Sequence, residues 1–162
     1  MYENRENEDS TLANKPLFYT KQGREVYGGG GIMPDIYIKQ KLDYNESVRE
    51  ILTHPDRLTF KYSEELKNNI MKKFTNYSDF KNNYKIKGKK KNDFIKWLTN
   101  QEIEFSEEEI QEEWDYLENR ILADIASSIW GKEYMFKQLL LQDNQVQEAI
   151  KHFNKAKELF NN

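Results

Sequence analysis

The sequence predicts a mainly α-helical protein: a domain of five to six helices from residue 40 onward, preceded by a short β-strand remnant. Three observations carry this. Apolar residues recur at three- and four-residue spacing from Val48 to Phe160. Glycine and proline gather before residue 35, and only Pro55, Gly88 and Gly131 follow. Alternation of strand type is confined to Leu17–Ile38.

Taken in order, residues 1–16 are polar, lack periodicity and end at Pro16, which reads as a flexible arm. Phe18, Thr20, Val26 and Tyr27, then Ile32, Ile36 and Ile38, alternate with polar or proline positions. Gly23 supplies a turn near Gln22-Gly23, so two short strands are expected. A lone hairpin is marginally stable in water, so this segment calls for a larger sheet.

Asp43 or Asn45 caps a first helix carrying Val48, Ile51 and Leu52, and Pro55 ends it near His54. Ser63 is expected to open the next, with Leu66, Ile70, Met71 and Phe74 on one stripe trailing into Tyr77, Phe80 and Tyr84. Lys85–Lys91 reads as a lysine-rich loop. Asn92 or Asp93 then caps a helix that buries Phe94, Trp97 and Leu98.

At Ser106 a capping box with Glu109 opens one long helix, striped by Ile110, Trp114, Leu117, Ile121, Leu122, Ile125 and Ile129. Gly131 interrupts or bends it. The run Tyr134–Leu141 is apolar on nearly all sides and is expected at the centre of the domain. Asp143 caps a last helix with Val146, Ala149, Ile150, Phe153, Ala156, Leu159 and Phe160.

Composition bounds the rest. The chain has 162 residues, enough for one domain with a true core. Charged residues make up 33% and aromatic residues 14%, with a mean hydropathy of -0.99, so an aromatic core under a densely charged surface is expected. The net charge of -3 argues against nucleic acid or anionic membrane as a bulk partner. There are no cysteines, which removes disulfides and thiolate chemistry. Residues 3–9 are too polar for a signal peptide, and no apolar run approaches a membrane span.

Two regions carry a family resemblance. The first is Phe18-Tyr19-Thr20-Lys21-Gln22-Gly23-Arg24, running through Gly28-Gly29-Gly30-Gly31 into Ile32-Met33-Pro34-Asp35. It resembles the closing segment of the protease domain in carboxy-terminal processing (tail-specific) peptidases, which are Ser/Lys-dyad serine peptidases. The four-glycine loop is similar to the Bacteroidetes-type branch. The second is the order Phe94–Leu98, Glu102–Glu109, Ile121–Ala126 with Trp130-Gly131, then Gln142-Asp143-x-x-Val146-x-x-Ala149-Ile150. It looks like the C-terminal helical extension of the same branch. One departure is Asp124, where family members often carry Lys, so no partner-binding role is placed on that face.

The resemblance implies that residues 17–39 close a peptidase domain and residues 40–162 form its helical accessory domain. The nucleophilic Ser and the Lys base then belong upstream, and the opening Tyr2-Glu3-Asn4 looks internal to a longer protein. It also implies that the parent cleaves peptide bonds in protein tails outside the cytoplasm, in the periplasm or cell envelope. The implied partners are its protein or peptide substrate and the remainder of the peptidase domain. A homodimer through residues 17–38 is a further expectation, because cut strand edges pair with other chains.

No catalytic, cofactor-binding or metal-binding residue is assigned from the sequence. A P-loop would end in Gly-Lys-Ser/Thr, which Ile32-Met33-Pro34 does not supply, so the glycine run reads as a shaped connection. Ser63 and Ser106 read as caps, Ser127 and Ser128 as helical, and Ser10, Ser47 and Ser78 match no nucleophile motif. His54 and His152 have no carboxylate pattern of metal-site type. The cluster Glu102, Glu104, Glu107, Glu108, Glu109, Glu112 and Glu113 lacks the spacing of a calcium loop and reads as a solvated helix start. Lys85, Lys87, Lys89, Lys90 and Lys91 read as a solvated loop, and Trp97, Trp114 and Trp130 as core. The alternative reading is a free-standing helical interaction or oligomerisation module. Ala149-Ile150-x-x-Phe153-x-x-Ala156 looks like the second helix of a tetratricopeptide repeat, though only one copy is present.

Overall fold

A computed structural model describes residues 15–21, 23, 25–28, 36–40 and 44–161, with residues 159–161 as backbone only. The expected arm through residue 14, the loop from Gly29 to Asp35, Asp43 and the side chains of Leu159 and Phe160 lie outside the described residues. The fold is mainly helical, with one small antiparallel hairpin near the N-terminus. Residues 40–147 make one compact unit. The described residues up to Lys39 and from Glu148 onward make a second.

The hairpin joins β1 (Leu17–Tyr19) to β2 (Glu25–Tyr27), with Phe18 opposite Val26. The turn forms where expected: Gly23 adopts φ +82° and donates its N–H to the Thr20 carbonyl at 2.9 Å. Gly28 closes the far end by donating to the Pro16 carbonyl at 2.8 Å. A Cβ on Gly28 would lie 2.5 Å from Cε2 of Phe18, so this glycine is a seat for the aromatic ring. Leu17, Phe18, Tyr19 and Tyr27 are nevertheless exposed.

Helix α1 (Glu46–Thr53) starts at Asn45, whose Oδ1 accepts the Val48 N–H at 3.0 Å, and buries Val48 and Ile51. Helix α2 (Leu58–Lys73) begins five residues before the expected cap at Ser63. Leu58, Thr59 and Tyr62 are all buried, so tertiary packing extends the helix backward without a capping side chain. Ser63 lies inside it and donates to the Phe60 carbonyl at 2.6 Å. The core-facing row is Leu58, Tyr62, Leu66, Ile70 and Phe74, a ladder in steps of four; Met71 falls beside it and is exposed, contrary to expectation.

Asn76 caps a separate α3 (Tyr77–Asn83) by accepting the Asp79 N–H at 2.9 Å. Tyr84 and Ile86 then alternate buried with exposed Lys85 and Lys87. Helix α4 (Lys89–Leu98) begins after Gly88 at φ +56°, so Asn92 and Asp93 sit within it and do not cap it. Its first turn is three lysines at the positive end of the helix dipole. Ring faces offset this placement: Lys90 Nζ lies 4.0 Å from the Tyr84 centroid and Lys91 Nζ 4.8 Å from that of Trp114.

The single long helix expected after Ser106 is two, α5 (Glu107–Glu112) and α6 (Trp114–Trp130), broken at Glu113 (φ -108°, ψ 21°). Ile110, Trp114 and Leu117 are buried on both sides of the break, which is why apolar spacing alone runs through it unmarked. Gly131, at φ 109° and ψ 166°, ends α6 and starts α7 (Lys132–Leu139).

Helix α6 is the central element. Leu117, Glu118, Asn119 and everything from Ile121 to Ala126 are buried, and it packs against both α2 and α7. The expectation of a central 134–141 run is therefore corrected: Phe136, Leu140 and Leu141 are exposed, while Gln138 is buried. Buried polar residues reverse the reading. Asp124 accepts the Thr59 hydroxyl at 2.7 Å, Glu118 accepts the Ile86 N–H at 2.6 Å, and Asn119 accepts from Gln138 Nε2 at 2.8 Å.

Asp143 caps α8 (Asn144–Lys151) through the Val146 N–H at 2.9 Å. The expected last helix is interrupted at His152 and resumes as α9 (Phe153–Asn161). Ile150 and Phe153 face solvent. Among the described residues there are thus nine helices where five to six were expected, because turns at Asn76, Glu113 and His152 divide continuous apolar patterns.

Aromatic residues fill the core as composition suggested. Phe80 stacks with Tyr84 at 5.4 Å between centroids and meets Trp130 at 5.1 Å, while Tyr62 meets Phe94 edge-on at 4.9 Å. Burial pushes the Tyr62 phenol up to about 12.

Candidate functional site

The most elaborate polar arrangement lies where α1 and α5 cap one another. Ser106 Oγ accepts the Glu109 N–H at 3.4 Å, the first half of the expected capping box. The second half goes elsewhere. Glu109 Oε2 accepts the Ser47 N–H at 2.9 Å, and Ser47 Oγ accepts the Ser106 N–H at 2.8 Å. Asn45 adds two bonds, from Nδ2 to the Glu109 carbonyl at 2.8 Å and from its N–H to Glu113 Oε1 at 2.9 Å. The Ser47 hydroxyl and backbone N–H together hold the Glu109 carboxyl below its usual range.

Beside this junction opens a cavity of about 330 Å³ lined by Tyr44, Tyr116, Glu112, Glu113, Asp115 and Gln142. The two tyrosine rings sit 4.3 Å apart between centroids, tilted by 32°. Burial pushes the Tyr44 phenol well above its ordinary value, and the Tyr116 hydroxyl and the carboxylates of Glu113 and Asp143 add to the shift. Gln142 Nε2 donates to the Asp115 carbonyl at 3.0 Å. Arg49 donates Nη2 to the Tyr44 carbonyl at 3.0 Å. The lining therefore combines one packed aromatic pair with three acidic residues.

Ser10 lies outside the described residues. Ser47, Ser63 and Ser106 spend their hydrogen bonds at helix ends or on a helical carbonyl. Ser78 belongs to α3, Ser127 and Ser128 to α6, and Ser128 bonds the Glu64 carboxylate, lowering its pKa. His54 Nδ1 accepts the Asp56 N–H at 3.2 Å; His152 Nε2 lies 3.5 Å from Glu148. Among the described residues, no three His, Asp or Glu side chains gather to hold a metal ion.

The acidic cluster is not a uniform solvated helix start. Glu109 and Glu113 are committed to α1, and Glu112 borders the cavity. Nor are the five lysines all loop: Lys89, Lys90 and Lys91 are helical. All three tryptophans pack in or against the core. Sequence reasoning missed the tyrosine pair, whose members lie on no shared helical stripe. Their signal was two aromatic residues each next to acids or amides, at Tyr44 and Tyr116.

No helix among the described residues is long and apolar enough to cross a membrane. No curated protein and no solved structure matches the chain. Residues 56–131, from the turn before α2 through Gly131, are similar to a family of unknown function, DUF8443.

Proposed function

We propose that this chain is the non-catalytic C-terminal helical region of a Ser/Lys-dyad processing peptidase, whose parent cleaves peptide bonds in protein tails outside the cytoplasm. The observation that carries the reading is the hairpin: two three-residue strands with Leu17, Phe18, Tyr19 and Tyr27 exposed, beside the Gly-rich sequence that resembles the end of that protease domain. So small a hairpin is only marginally stable alone, and a larger peptidase sheet would complete it. Ser47 and Ser106 serve helix ends, and Lys90 and Lys91 lie over ring faces, which fits an accessory role.

The second reading is a helical interaction or oligomerisation module. The exposed Ile150 and Phe153 favour it, whereas a homodimer through the cut strand edges of residues 17–38 would belong to the peptidase reading. One experiment separates the two. An antibody against the helical unit captures the endogenous product, which is sized and treated with a serine-directed covalent probe. A product longer than this chain that carries a labelled serine supports the peptidase reading. An unlabelled product of the chain's own 19.5 kDa defeats it and favours the module.

A further inference from the structure

We infer that the cavity beside the packed Tyr44–Tyr116 ring pair binds a basic side chain, an arginine or a lysine, of a partner polypeptide. The inference stands whether or not the peptidase reading does. Its first support is the aromatic surface: the two tyrosines pack on one another at 4.3 Å and line a concave space at the helix junction, and a ring face not taken up by its neighbour attracts a guanidinium or ammonium. Its second support is the placement of charge. Glu112, Glu113 and Asp115 line the same cavity, so a phosphate or carboxylate is repelled and a purely apolar ligand would desolvate carboxylates without compensation.

The neighbouring cations are largely engaged elsewhere. Arg49 is tied to the Tyr44 carbonyl. Lys91, which feels the charge of Asp115, bonds Gln111 Oε1 and lies over the Trp114 ring. Glu113 gives one oxygen to Asn45, which leaves its other oxygen, Glu112 and Asp115 as acceptors. A space of about 330 Å³ exceeds what one guanidinium fills, and so admits the stem and flanking backbone of a peptide. Gln142, whose Nε2 serves the Asp115 carbonyl, keeps Oε1 to accept a peptide N–H.

The test is a titration of the full chain by heteronuclear NMR with acetyl-Gly-Arg-Gly-amide, compared with the same peptide carrying citrulline, which keeps the shape and loses the charge. Amide shifts at Tyr44 and Glu113–Tyr116 are expected with the arginine peptide, and binding about tenfold weaker with citrulline. The Glu112→Gln/Asp115→Asn variant should weaken the arginine peptide by a similar factor. Glu50→Gln/Glu102→Gln, on another acidic surface, should leave it unchanged, and the spectra themselves report whether each variant folds. Equal binding of citrulline, shifts confined to other acidic surfaces, or no shifts at Tyr44 and Tyr116 would overturn the inference.

Discussion

The carboxylate of Glu109 accepts the backbone N–H of Ser47 at 2.9 Å across 62 positions of sequence. Local pattern assigned that carboxylate to the start of its own helix. The fold instead lends it to α1, whose first N–H groups would otherwise lack a partner.

This gives a pH prediction. The Glu109 carboxyl is held below its unfolded value by Ser47, so its contribution is fully present above the ordinary carboxylate range. It is lost as pH falls through the depressed folded value. Glu109→Gln should lower the melting temperature at pH 7, and the gap from the unsubstituted chain should narrow as the buffer is made acidic. A gap constant from pH 7 to pH 3 would mean the carboxylate is not engaged as described.

The central position of α6 predicts an asymmetry between two apolar residues. Leu117 is fully buried and Phe136 is 50% exposed. Leu117→Ala should cost about 2–5 kcal/mol in denaturant unfolding. Phe136→Ala, although it removes more carbon, should fall within about 0.5 kcal/mol.

Gln138 links α3, α6 and α7 by accepting the Tyr77 hydroxyl at 3.0 Å and donating to Asn119 at 2.8 Å. Gln138→Leu strands both neighbours at about 1–3 kcal/mol each. Adding Tyr77→Phe should recover part of that loss, since it removes one stranded group. A double variant less stable than the single would contradict the relay.

Gly131 offers a test of backbone conformation free of crowding, because a Cβ there would meet nothing within 4 Å. Its φ of 109° and ψ of 166° fall in a region close to glycine-only. Gly131→Ala should therefore cost about 1–3 kcal/mol through strain alone.

What the sequence made legible was local. Asn45, Ser106 and Asp143 cap their helices because the accepting oxygen and the donated N–H lie three residues apart. Gly23 and Gly131 mark their turns because their φ of 82° and 109° lies in the region that favours glycine. The identity of the central helix was not legible. Glu118, Asn119 and Asp124 look like a solvent face until Ile86, Gln138 and Thr59 arrive from distant sequence to satisfy them. Tyr44 and Tyr116 likewise meet only through the fold, so no spacing announces the cavity.

Those three polar residues also limit how α6 can sit. A buried helix coated only in leucine and isoleucine can rotate or slide by a turn and lose little. Here Glu118, Asn119 and Asp124 each face a different neighbour, and the three meetings coincide at one rotation and one height, like a key cut on three sides. Replacing all three by leucine would retain burial while erasing that setting. Such a chain should stay helical by circular dichroism, yet melt broadly and show poorly dispersed side-chain resonances, the behaviour of a packed bundle without a fixed register.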